Sequence, residues 1–216
     1  MAAKKKARVK AARSGKKSAA SKAKGKVARK AGSSQRGKAA PKKPAGRRAV
    51  RAAQVPNPWN AWADRFEREA ATTLRVMRGF PSDQGAFQPH PRSSSAHRLI
   101  ATFVGEQGIL LGAIRGTLQM PLSFPPPPAT IDECIAAFEG AVKEVLAEAR
   151  SARPESHSRT VPFFGGPQRV ARIPAGTLAN ILLADQIHHR GQLSVYNRMA
   201  GGTVPSIYGP SADEPW

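Results

Sequence analysis

Between Trp59 and Ala200 apolar side chains return at three- and four-residue steps in four separate segments, with no alternating pattern and no internal repeat. That period belongs to helices with one buried face, so the chain is constrained to an all-α core. In the first segment Asn57 and Pro58 read as an N-cap and a proline at the first helical position. Trp59, Trp62, Phe66, Ala70, Leu74 and Met77 then form a stripe opposite Asp64, Arg65, Glu67 and Arg68, ending near Gly79. At this spacing the two tryptophans belong to the core rather than to a base-stacking platform.

The second segment starts at the serines of "QPHPRSSS" and carries Leu99, Phe103, Glu106, Leu110, Ala113 and Ile114 to about Leu118. Gly108, Gly112 and Gly116 stand four apart in it. Each costs about 1 kcal/mol against alanine in a helix, so the row implies a neighbouring backbone packed close. "SFPPPP" reads as a stiff connecting turn. Thr130 and Glu133 have capping-box spacing and open a third stripe of Ile131, Ile135, Phe138, Val142, Val145 and Ala149; Cys134, beside it, reads as core filler. A long irregular crossover follows, with a short extended piece at Val161–Phe164. The last helix runs from about Pro174 to Ala200, stopped by Gly201 and Gly202. The arrangement expected is a four-helix bundle.

Ahead of it, residues 1–53 hold twenty of the thirty-five Lys and Arg and none of the fourteen Asp and Glu. Without aromatic or large aliphatic side chains beyond the first methionine, this tail cannot offset a chain entropy of about 1–2 kcal/mol per residue, and it is expected to be disordered. Residues 54–216 form the folded domain. The tail's composition suits phosphate neutralisation on DNA or RNA and is similar to the Lys/Ala-rich tails of histone-like proteins. An acid-free, Arg- and Ser-containing start also fits a targeting segment. One cysteine excludes an intramolecular disulfide and fits a reducing compartment. No uncharged helical run is long enough for a membrane span, and an apolar signal-peptide region is missing, so a protein of the cytoplasm is expected, at the nucleoid if the tail holds DNA.

The fourth helix carries the chemistry. Leu178 and Leu182 head an apolar face that continues with Asp185, His189, Gln192 and Tyr196. A buried carboxylate or imidazole is costly unless partnered. Asp185 and His189, four apart, lie one above the other, the spacing by which a helix offers two ligands to one metal ion; a self-satisfying Asp–His hydrogen bond is the alternative.

The stretch "DQIHHRGQLSVYNRMAGGTVPSIYGPSADE", with the helical pattern before it, resembles the bacterial damage-inducible DinB family and its YfiT-like members. That resemblance implies an up-down-down-up bundle, often a homodimer, with a divalent metal, usually zinc or nickel, on three histidines. It also implies a low-molecular-weight thiol such as mycothiol or bacillithiol as co-substrate. His189, before Arg190-Gly191-Gln192, matches the last ligand; Asp185 stands where the family has a histidine; Thr102 falls at the second-helix ligand position and is a poor donor. Glu106, one turn on from Thr102, is the expected second-helix partner, whereas His97 should face elsewhere. His188, Gln192, Tyr196 and Thr102 are candidates to support a site of Asp185, His189 and Glu106 for zinc, nickel or manganese. His90 and His157 fall in loops without an assigned role, and Arg190 reads as structural. Two functions follow: a metal-dependent hydrolase or thiol transferase, or a non-catalytic binding and dimerisation module tethered to nucleic acid by its tail.

Overall fold

The computed structural model describes residues 56–215; the tail read at 1–53 lies outside them. Helix α1, Pro58–Arg78, starts at the expected cap, where the Asn57 side chain accepts the Trp59 N–H at 3.1 Å. Trp59, Trp62 and Phe66 are buried, with Trp62 stacked on Phe66 at 4.9 Å, so the tryptophans are core. Helix α2, Ala96–Arg115, begins at Ser95 and stops short of Leu118. Gly116 adopts φ +76°, a conformation that ends helices and favours glycine, and the Arg159 guanidinium donates to the Ile114 carbonyl at 2.5 Å.

Helix α3, Ile131–Ser151, opens with the full capping box: Thr130 accepts the Glu133 N–H and Glu133 accepts the Thr130 N–H, both at 3.1 Å. Cys134 is fully buried. Helix α4, Ala175–Met199, completes the four. Side-chain pairs fix their directions. Arg190 meets Glu69 and Asn197 meets Val76, so α4 runs parallel to α1. Arg150 meets Asp64 and Arg78 meets Glu139, so α3 opposes α1. Arg115 meets Glu144 and Glu148 while Phe103 packs on Phe138, so α2 and α3 point the same way.

Two parallel neighbours need a connection as long as themselves, and residues 117–130 supply it. This segment travels back along α2: Leu118 lies 3.2 Å from a Cβ built on Gly112, Phe124 3.6 Å from one on Gly105, and His97 Nε2 donates to the Pro128 carbonyl at 2.7 Å. The expected glycine row is therefore corrected. A close neighbouring backbone is found only at Gly112, where the connector's Leu118 Cα lies 3.4 Å from a Cβ built there; Gly108 has nothing within 4 Å, and Gly116 is the helix cap. The crossover is likewise this connector, not residues 152–174, which join two helix ends already at the same end of the bundle.

Residues 152–174 instead hold a 3-10 turn, Pro154–His157, and an antiparallel hairpin of β1, Thr160–Phe164, and β2, Val170–Pro174, with Thr160 opposite Pro174 and Phe164 opposite Val170. The strands are an addition to the all-α expectation. Only β1 left a trace in the sequence; in β2 the outward positions, Val170 among them, are exposed, so no buried alternation marks it. His157 also has a packing role the sequence did not show. Its ring meets Trp59 edge-on at 4.9 Å and fills the space a Cβ on Gly176 would need. His90 only accepts the Arg92 N–H in its loop. After Gly201 the chain hooks back across α1 and α4: Asp213 pairs with Arg198 at 2.7 Å and Glu214 with Arg75. No described helix is long and apolar enough to cross a membrane.

Candidate metal centre

Helices α2 and α4 lie antiparallel, pinned near one end where the Tyr196 hydroxyl donates to the Ser94 carbonyl at 3.0 Å. This register carries Glu106, in the middle of α2, to the turn of α4 that bears Asp185 and His189. Glu106 Oε1 lies 3.3 Å from His189 Nδ1, with the two side chains 5% and 20% exposed. One donor atom from each of Glu106, Asp185 and His189 lies within 4.8 Å of the others. Glu106 forms the floor, His189 stands edge-on to Phe103 at 6.1 Å, and Asp185 is on the exposed side.

The contact between Glu106 and His189 is close but poorly aligned, and neither carboxylate oxygen of Glu106 nor Nδ1 of His189 has a hydrogen-bond partner. Buried charged atoms without partners cost about 1–3 kcal/mol or more each, so the arrangement calls for something between them. Burial pushes the Glu106 carboxyl up to about 7, with the His189 contact opposing and the Asp185 charge assisting. His189 is raised chiefly by its contact with Glu106, against desolvation. Two oxygens and one imidazole nitrogen converging on one point, with unpaired buried atoms among them, fit a divalent cation, which would displace the protons and satisfy all three.

The remaining candidates lie elsewhere. Thr102 donates to the Arg98 carbonyl of its own helix at 3.0 Å. Gln192 donates to His188 Nε2 at 3.1 Å, both exposed; the His188 and His189 rings are 5.5 Å apart. Tyr196 serves the α2–α4 join and meets the Phe87 ring at 5.9 Å. His97 points at the connector, as its spacing implied.

The single polar face drawn from Leu178 to Tyr196 is thereby redrawn. Helix α4 touches α1 as well as α2, and its deepest polar residues are Gln186, Arg190 and Asn197, while Asp185 and Gln192 reach the surface. Arg190, 1% exposed, meets Glu69 Oε2 at 2.8 Å, the Glu69 carbonyl at 3.1 Å and the Tyr208 hydroxyl at 2.6 Å, and Tyr208 donates to Glu69 at 2.8 Å. The structural role expected of Arg190 is the one its contacts describe. Glu69 and Tyr208 had no signal of their own; a buried arginine in mid-helix was the clue that an acid must meet it.

The profile of the DinB superfamily matches residues 65–193. A Bacillus subtilis (strain 168) protein, the uncharacterized protein YrdA, is 28% identical over 151 residues, covering 69% of this chain and 87% of its own. Among solved structures, a DinB-like protein from Bacillus cereus ATCC 10987 aligns with a TM-score of 0.59 at 19% identity, covering 69% of this chain and 97% of its own. The DinB-like protein YjoA from Bacillus subtilis aligns with a TM-score of 0.56 at 18% identity over the same shares. At these identities the solved structures speak for the fold alone.

Proposed function

From membership of the DinB superfamily, to which this chain belongs, we propose that it is a divalent-metal protein whose centre is Glu106, Asp185 and His189. The observation that supports this reading is the set of unpaired buried atoms on Glu106 and His189, which a cation satisfies and a purely structural pair would not leave behind. Zinc, nickel and manganese all accept such donors. A cation there would supply a Lewis acid, with Asp185 on the exposed side of the cluster, and the reaction classes are hydrolysis or transfer of a low-molecular-weight thiol. The protein's own part is positional: Phe103 packs edge-on to the His189 ring, Glu106 anchors the floor from α2, and Asp185 stands on the exposed side.

Elemental analysis of the purified chain is expected to return about one equivalent of metal, and His189→Ala to abolish it. A metal-free protein whose stability is unchanged by that substitution removes the reading.

A second reading rests on the charge of residues 1–53, twenty basic and no acidic side chains. It makes the bundle a binding or dimerising module, held to DNA or RNA at the nucleoid. The full chain is expected to shift duplex DNA at low salt and to lose it steeply as salt rises, whereas a chain beginning at Gln54 does not bind. Equal binding by the two removes this role for the tail.

A further inference from the structure

The charge of the cluster restricts its ligand more than its shape does. Glu106 and Asp185 bring two carboxylates and His189 one neutral imidazole, so a divalent cation held by all three makes a centre of zero net charge. Glu106 marks this as more than acidic surface: it is 5% exposed, and both its oxygens are buried without partners beside His189. Two oxygen donors against one nitrogen also favour hard or borderline cations over those that seek sulfur.

Among the described residues of α2, α4 and the connector, no unpaired Lys or Arg stands beside the cluster. Helix α2 has no Lys or Arg between Arg98 and Arg115, and the connector over residues 117–130 has no charged residue at all. On α4 the two arginines are engaged, Arg190 with Glu69 on the α1 side and Arg198 with Asp213. Arg98 stands two turns before Glu106, about 12 Å along the axis. The donors sit in the middle of both helices, away from the N-terminal amides that hold anions elsewhere. On the exposed face of α4, Gln192 donates to His188 and nothing lies within 4 Å of a Cβ placed on Gly191.

Building on the metal reading above, we infer that this centre takes an uncharged oxygen- or nitrogen-bearing ligand and discriminates against thiolates and phosphates, which leaves hydrolysis and not thiol transfer as its reaction class. An anion gains little from a centre of zero charge and still meets Asp185 at the entrance. A thiolate is also a poor match for an oxygen-rich donor set.

The test loads the full chain with cobalt(II) and follows the metal's visible spectrum at mildly alkaline pH while imidazole, inorganic phosphate or 2-mercaptoethanol is added. Imidazole is expected to change the spectrum, with phosphate and the thiol leaving it unchanged. In Asp185→His, which keeps three donors and adds one positive charge, thiol affinity is expected to rise about tenfold or more while that for imidazole moves little. A strong sulfur-to-cobalt band in the native chain, or equal thiol affinity in the two proteins, overturns this inference alone. A spectrum that none of the three changes also overturns it, because the open side then admits no ligand. Absence of cobalt uptake overturns it together with the metal reading beneath it.

Discussion

At Arg190 a guanidinium is enclosed by one carboxylate, one carbonyl and one phenol, with its Cζ 5.1 Å from the Tyr208 ring centre. Removing it leaves Glu69 charged and largely buried. Arg190→Ala is expected to cost about 3–5 kcal/mol in urea unfolding, because a buried charge that loses its partner is penalised by more than the pair contributes. Tyr208→Phe, which removes one hydrogen bond and leaves the Arg190–Glu69 pair, should cost about 1 kcal/mol. Equal losses from the two substitutions would contradict this account. The same residues show what one chain can disclose. Asp185 and His189 are four apart, and Glu106 follows helical spacing on α2, so their faces could be counted. Glu69 and Tyr208 lie 121 and 18 positions from Arg190, and no periodicity reaches across such separations.

Helix starts were legible wherever a cap is local: Asn57, Ser95 and Thr130 each bond a backbone N–H within three residues. The glycines of α2 were not, because the reason for each comes from a different segment. Gly112 gives room to Leu118, Gly116 needs a positive φ beside Arg159, and Gly108 has no neighbour at all. The three alanine variants should therefore separate in thermal unfolding. Gly108→Ala is expected to stabilise by up to about 1 kcal/mol, as an open helix interior does. Gly116→Ala is expected to destabilise by about 1–2 kcal/mol through backbone strain and displacement of the arginine. Gly112→Ala should fall between, with Leu118 yielding a few tenths of an ångström. A stabilising Gly116→Ala would refute the cap.

Across the molecule, the C-terminal hook closes on two carboxylates. Arg198 first, and then the Val204 N–H, hold Asp213 below its ordinary 3.8; Arg75 first, and then the Ser206 N–H, hold Glu214 below its ordinary 4.5. Acids depressed in the folded state contribute stability above those ordinary values and lose it as pH falls through the folded ones. Acidification should thus release the hook ahead of the bundle, read as lost amide-exchange protection at Val204 and Ser206 while α1 and α3 stay protected. Protection unchanged well below pH 3.8 would contradict the carboxylate clasp. The parallel pairing of α1 with α4 has its own consequence for synthesis. Of the four described helices, α1 is synthesised first and waits for α4 to cover one of its flanks, and Asp185 and His189 arrive with α4. Maturation of this domain is accordingly expected to wait until α4 has been synthesised, with assembly of the Glu106, Asp185 and His189 cluster among its closing events.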